Sequence, residues 1–262
     1  MNKSFDELKN HICNVFADCD DFIFRESGRQ YSRFALFCLK GISSREYISE
    51  MLIRPLLKTD LSDFDGDFNA LLESVSLDCP KDENEAISAI SKGLVFIVTE
   101  GEKGCFSVLA NAQITKGRSV QEPSSDITLK GPKTGFVEDF ETNLSLLRKY
   151  IPSPDLKSIP FTVGSVSKTK VLLVYVENRA DKKTINKLKQ KLECIDARVI
   201  TDSANIAMLL DGTANSFLPS CGSTEKVDKA ASKLMAGRVA IIVDGSPFVL
   251  TAPYVFAETI QS

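Results

Sequence analysis

The residues able to do chemistry are few, and their spacing serves no reaction. His11 is the one histidine. A Ser-His-Asp or Cys-His nucleophilic site has to recruit it, because the base must reach the nucleophile through a hydrogen bond. It falls between Leu8 and Ile12 at helical spacing, where a lone histidine is ordinarily a structural side chain. Gly164–Thr169 reads GSVSKT, close to the end of a phosphate-binding loop. That loop needs glycine before the lysine, so that backbone N–H groups can wrap the phosphate, and a helix after it. Here Ser167 stands in the glycine's place and the apolar run Val171–Val176 follows, so the segment reads as a hairpin turn. Asp63, Asp65 and Asp67 flank Gly66 in the manner of a calcium loop. An EF-hand also needs glutamate at its twelfth position. Counted from Asp60 that position is Leu71, and from Asp63 it is Ser74, so a solvated acidic loop is expected. No G-x-G-x-x-G dinucleotide fingerprint occurs.

Seven cysteines, Cys13, Cys19, Cys38, Cys79, Cys105, Cys194 and Cys221, are widely spaced with no C-x-x-C. Neither a zinc knuckle nor a redox pair can be read from them. Several sit in apolar runs, and buried free thiols of a reducing compartment are expected. No catalytic residue, metal-ligand set or cofactor is therefore assigned. The empty inventory favours a binding or structural module and ranks an enzyme last.

The elements that hold these residues follow from periodicity. Phe5, Leu8, Ile12, Val15 and Phe16 predict a helix over Ser4–Phe16. Helices are also expected from Ser43 or Ser44 to Leu57, over Phe68–Val75, Asp82–Ser91, Phe136–Ile151, Asn205–Leu210 and Lys226–Ala236, and from Asp181 to Leu192. Strands are expected over Tyr31–Leu39, Leu94–Thr99, Cys105–Ala110, Ile159–Val166, Lys170–Val176, Val239–Val243 and Phe248–Thr251, with a short one at Ala197–Ile200. The order repeats. FALFCLKGISSREYI from Phe34 lies over VLLVYVENRADKKTI from Val171, and a helix stopped by glycine precedes a strand at both Gly93 and Gly237. The class expected is α/β (α+β): two similar subdomains, each a mixed β-sheet packed with helices, read as an internal duplication. The alternative is that helix–glycine–strand is common grammar. The boundaries expected are 1–116, a linker rich in Gly, Pro and Ser over 117–135, and 136–262.

Bulk properties agree with a globular chain. It has 262 residues, of which 43% are hydrophobic and 26% charged, and a net charge of −3. That balance argues against nucleic acid as a partner, since phosphate binding needs a surplus of cations. Met1–Cys19 carries Asp6, Glu7 and Lys9 where a signal peptide would be apolar. The longest apolar stretch, Val239–Ala257, is broken by Asp244, Gly245, Pro247 and Pro253, short of the ~20 residues a membrane span requires.

Three stretches carry a resemblance beyond composition. Gly117–Phe140 holds Arg118, Glu122-Pro123, Gly131-Pro132, Gly135-Phe136 and Glu138; Asn143–Lys149 reads NLSLLRK; Gly237–Phe256 reads GRVAIIVDGSPFVLTAPYVF. Together they resemble the A-subunit family of spore germinant receptors. One departure is Thr224-Glu225-Lys226-Val227-Asp228, where the family often has Thr-Glu-Arg-Pro-Asp. The resemblance implies a domain ahead of a membrane domain that this sequence lacks, in the spore inner membrane, on the core-facing side by the cysteines and the missing signal. It implies B and C subunits as partners, and a small nutrient (an amino acid, sugar or nucleoside) sensed by the complex, with a homo-oligomer as a further partner state. Whether this domain senses the ligand, couples the signal or serves only as an oligomerisation and assembly element is left open. The matched residues Arg118, Glu122, Glu138, Asn143 and Arg148 are the ligand or interface candidates, and Gly131, Pro132 and Gly135 the hinge candidates. Two α/β lobes also resemble solute-binding proteins, by fold analogy alone.

Overall fold

A computed structural model of the chain describes residues 4–72, 76–114, 134–211 and 221–253. The chain divides into two compact units, Met1–Lys116 with Pro152–Pro154, and Gly117–Ile151 with Asp155–Ser262.

Unit one runs α1 (Phe5–Val15), β1 (Phe22–Arg29), β2 (Ser32–Leu39), α2 (Arg45–Tyr47), a π-helical segment (Ile48–Ile53), α3 (Arg54–Lys58), α4 (Phe68–Leu71), β3 (Leu77–Asp78), α5 (Glu83–Ser91), β4 (Val95–Gly101) and β5 (Gly104–Ala110). The strand order is β1-β2-β4-β5-β3, and every ladder is antiparallel. The apolar run of β2 is near-continuous because both faces of the sheet are covered. Ala35, Phe37 and Leu39 face α1 and α5 through Phe5, Leu8, Ile12, Ala86 and Ile90. Phe34, Leu36 and Cys38 face the other layer through Ile48, Leu52, Leu56 and Phe68.

Unit two repeats this arrangement: α6 (Phe140–Tyr150), β6 (Leu156–Val163), β7 (Thr169–Val176), α7 (Lys182–Glu193), α8 (Ser203–Asp211), β8 (Gly222–Thr224), α9 (Val227–Met235), β9 (Val239–Val243) and β10 (Val249–Ala252). Its order, β6-β7-β9-β10-β8, is the order of sheet one strand for strand, again with antiparallel ladders. Leu172, Val174, Ala240 and Ile242 pack on α6 and α9; Val171, Leu173, Ile241 and Val243 pack on α7 and α8. The expected pair of similar α/β subdomains is thus present, and the register that lays Phe34 on Val171 brings β2 onto β7 end to end.

The two glycine stops are also equivalent. Gly93 has φ +95° and Gly237 φ +88°, a left-handed backbone that glycine adopts without strain. Behind each, an N–H reaches the carbonyl five residues back, Leu94 to Ala89 and Arg238 to Lys233, both 3.0 Å, which ends the helix and satisfies its last turn.

Several expected elements change. The single helix expected up to Leu57 is three pieces. Pro55 lacks an N–H and clashes with the carbonyl four residues back, and the chain widens before it, with Arg54 N–H bonded to Ser49 O. The helix expected from Phe136 starts at Phe140, capped by Asp139 accepting from Thr142 N–H. Ala197–Ile200 is not a strand; its carbonyls are taken by the β6–β7 turn, with Ser165 N–H on Ala197 O and Val166 N–H on Arg198 O, each 2.9 Å. α4 ends at Leu71, and 73–75 lie outside the described residues. The thiols are not uniformly buried: Cys79 and Cys194 are exposed.

Candidate functional site

Three of the four matched residues that can be placed, Gly135, Glu138 and Asn143, lie at the start of α6 in unit two. Gly135 forms a backbone bridge with Lys226, Phe136 N–H donates to Glu225 O at 2.8 Å, and Val227 N–H donates to Thr134 O. The incoming chain is therefore held as a short extended rung against the start of α9. Lys226 is the N-cap of α9 and supplies no side-chain cap; the carbonyl of Thr134 serves one of the orphan N–H groups instead. The segment that departs from the family's Thr-Glu-Arg-Pro-Asp is the same one that makes this rung.

Asn143 closes the arrangement. Its amide accepts from Val137 N–H at 2.8 Å and donates to Val137 O at 2.5 Å, and the residue is fully buried. An asparagine amide carries one acceptor and two donors, so it alone among side chains of this size, with glutamine, can mimic a backbone partner on both sides of one residue. This explains a poor helix former inside α6. Glu138 is exposed, and its backbone carbonyl accepts from Gly245 N–H at 2.8 Å, tying the β9–β10 turn to the same rung. Lys170 Nζ lies 5.1 Å above the Phe140 ring, a cation–π contact at the first residue of α6.

Arg148 is the largest fully buried side chain among the described residues. It lies on the inner face of α6 beside Leu144 and Leu147, and it is engaged, as are Glu225 and Lys226. A guanidinium out of water demands such partners. Lys157, also buried, reaches Glu177 at 3.5 Å. Arg118, Glu122, Gly131 and Pro132 lie outside the described residues. Of the eight matched positions, the structure thus brings together Gly135, Glu138 and Asn143 as an anchor for the segment that enters unit two, while Arg148 lies in the last turn of α6.

Unit one holds a charged cluster that the linear sequence does not display. Arg33 on β2 donates to Glu100 at 2.7 Å, Asp6 at 2.7 Å and Glu26 at 3.3 Å, and Lys9 binds Asp6 at 2.7 Å and Glu26 at 3.1 Å. The guanidinium also stacks 4.2 Å from the Phe5 ring centroid. Lys9 and then Arg33, hydrogen-bonded to it, hold the Asp6 carboxyl below its ordinary value of 3.8. Lys9 is shifted up, chiefly by its bond to Asp6. The signal for this cluster is the β2–β4 register, which sets Arg33 opposite Glu100. Among the described residues no group of three or more metal-ligating side chains forms, and no helix is long and apolar enough to cross a membrane.

Fold and anchor together define a chain of two topologically matching α/β units joined through a segment pinned by a buried asparagine. The family model for "GerA: Bacillus/Clostridium GerA spore germination protein" matches residues 10–262, and the chain belongs to that family. It is 32% identical to spore germination protein KA of Bacillus subtilis over 100% of this chain and 48% of that protein. It is 30% identical to the uncharacterized membrane protein YfkQ of the same organism over 93% of this chain and 48% of that protein. The chain spans about half the length of the curated relatives it matches. Its fold matches the crystal structure of the N-terminal domain of the A subunit of the Bacillus megaterium spore germinant receptor GerK3, with a TM-score of 0.67 at 23% identity, covering 97% of this chain and 96% of that one.

Proposed function

We propose that the chain is the N-terminal domain of a germinant-receptor A subunit, and that it takes part in starting spore germination by sensing a ligand or by coupling the signal to a membrane domain. The observation that carries this reading is the fold match to the GerK3 A-subunit domain over almost the full length of both chains, within a family named for spore germination. The catalytic inventory supports a non-enzymatic role: His11, the one histidine, is part-exposed on α1 and pairs with Glu83 at 3.4 Å.

In this reading the full-length protein sits in the spore inner membrane with this domain on the core-facing side. Its partners are the B and C subunits, further copies of itself and a small nutrient such as an amino acid, sugar or nucleoside. The linker pivots at Gly131 and Pro132, and Gly135 marks where the chain becomes pinned to unit two. Arg118, Glu122 and Glu138 contribute interface ion pairs, buried Arg148 braces α6 from within its own unit, and Asn143 keeps the pinned end in register. The test is protein-observed NMR of the 262-residue chain titrated with amino acids, sugars and nucleosides. Saturable shifts from one class establish sensing. A flat response to all, together with self-association, moves the domain to assembly.

A further inference from the structure

The two sheets share one topology, yet their free edges differ. β1 and β6 are the equivalent edge strands. Just outside the ladders, Lys40 N–H donates to Asp21 O and Glu177 N–H donates to Asp155 O, at 2.7 and 2.8 Å. These bonds fix the odd-numbered residues of both strands as the ones bonded to the inner neighbour. Even-numbered residues consequently aim N–H and C=O away from the sheet. In β6 one such outward position is Pro160. It has no N–H to offer, and proline there closes an edge to any joining strand. The register aligns Phe22↔Leu39 with Leu156↔Val176, so the counterpart of Pro160 in β1 is Glu26. Phe24 and Glu26 leave the outward backbone of β1 open, and no strand among the described residues pairs with it.

Two further features lie on the same edge. A cavity of about 410 Å³ opens beside the β1–β2 hairpin, lined by Ser27, Arg29, Phe34, Leu56, Leu57 and Asp60. Phe34 and Leu56 are buried, while Leu57 is 51% exposed. Arg25 and Arg29 share a strand face with Ser27, are exposed, and make no ion pair among the described residues. Lys58, at the end of α3, is exposed as well.

We propose that the outer edge of β1 docks an extended acidic peptide segment of another protein, which adds to sheet one as a further strand and lodges one apolar side chain in the cavity. Main-chain bonds to Phe24 and Glu26 supply affinity, the cavity selects the side chain, and Arg25 and Arg29 select the charge. The charges also decide against a second copy of this chain as occupant. A two-fold β1–β1 pairing gathers two arginines from each copy onto one sheet face, where like charges repel. This inference is independent of the receptor reading, since it uses the edge of sheet one alone.

The test measures fluorescence anisotropy of the 262-residue chain with a labelled octapeptide that alternates glutamate and valine around a central leucine. A twin peptide carries lysine for each glutamate. The acidic peptide is expected to bind saturably and the basic twin about tenfold more weakly. Glu26→Pro copies the proline of β6 and is expected to weaken binding about tenfold or more. Glu26→Ala loses the same ion pairs to Lys9 and Arg33 but keeps the N–H, and is expected to stay within about threefold of the original. The double variant Arg25→Glu, Arg29→Glu tests charge without touching the backbone and is expected to lose about tenfold, less at high salt. Circular dichroism confirms that each variant is folded. The proposal is overturned if neither peptide binds, if both bind equally, or if folded Glu26→Pro binds as well as the original chain. It is also overturned if the chain forms a dimer that Glu26→Pro abolishes, which gives the edge to a second copy.

Discussion

Replacing Asn143 with leucine isolates the anchor. The side chains branch alike at Cγ with four heavy atoms each, leucine being the bulkier, so the main loss is two hydrogen bonds, at 2.8 and 2.5 Å, to the N–H and C=O of Val137. A backbone group left unsatisfied costs about 1–3 kcal/mol. Val137 is only half buried, so water recovers part of that loss, and leucine gains some apolar burial. The net expectation is a destabilisation of about 2–3 kcal/mol. For a chain of this size that lowers the melting temperature by about 4–12 °C. Urea denaturation followed by circular dichroism measures the total, and hydrogen exchange at the Val137 amide locates it. The exchange of Val137 is expected to accelerate more than that of sheet two, because the rung frays before the core opens. A stability within about 0.5 kcal/mol of the original, with Val137 still protected, would falsify the claim that this amide holds the incoming chain.

Other expectations concern different elements. Gly237→Ala meets the backbone carbonyl of Arg179 at 2.8 Å, whereas Gly93→Ala meets the end of the Ile42 side chain at 3.2 Å. Both pay for a left-handed backbone, but only Ile42 can yield, so Gly237→Ala is expected to cost about 1 kcal/mol more in chemical denaturation; equal costs would contradict the geometry. The lowered Asp6 carboxyl gives a signed pH effect. Its contribution is fully present above the ordinary value of 3.8 and fades as pH falls through the lower folded value. Asp6→Asn is therefore expected to be less stable than the original at pH 6, by under about 1 kcal/mol at this exposed position, with the difference shrinking as pH falls below 3.8 and in high salt; a gap that widens with acid would refute the assignment. Burial pushes the Cys38 thiol up to about 12 and the Cys221 thiol to about 11. Thiolate-selective labelling at pH 8 is expected to modify exposed Cys79 and Cys194 first and to reach Cys38 only on unfolding, as mass spectrometry of the labelled chain would show.

The sequence made the repeated order readable because both copies use strong local signals. Capping side chains at Ser4, Asp82 and Asp181, apolar runs in β2, β4, β7 and β9, and two glycine stops each act within a few residues. What it hid acts at a distance or over too few residues. β3 and β8 span two and three residues, too short to show a period. Phe136 continues the helical spacing of α6, but the chain there is held extended by Lys226, ninety residues on in the sequence and visible only once the sheet forms. Asn143 stood out as a poor helix former, and the fold supplies the reason. Arg33, Asp6, Glu26 and Glu100 are ordinary surface charges until the β2–β4 register gathers them.

Each sheet is two hairpins, β1–β2 with β4–β5 and β6–β7 with β9–β10, zipped side by side, with the short β3 or β8 added at one edge. Hairpins close over few residues, and every strand of sheet one precedes Asn111. During synthesis every strand of the first sheet and both of its helical layers are made before α6 is translated. Domains generally fold as units from the N-terminus, and this order gives the nascent chain a finished platform before its duplicate begins to compete for the same kinds of strand.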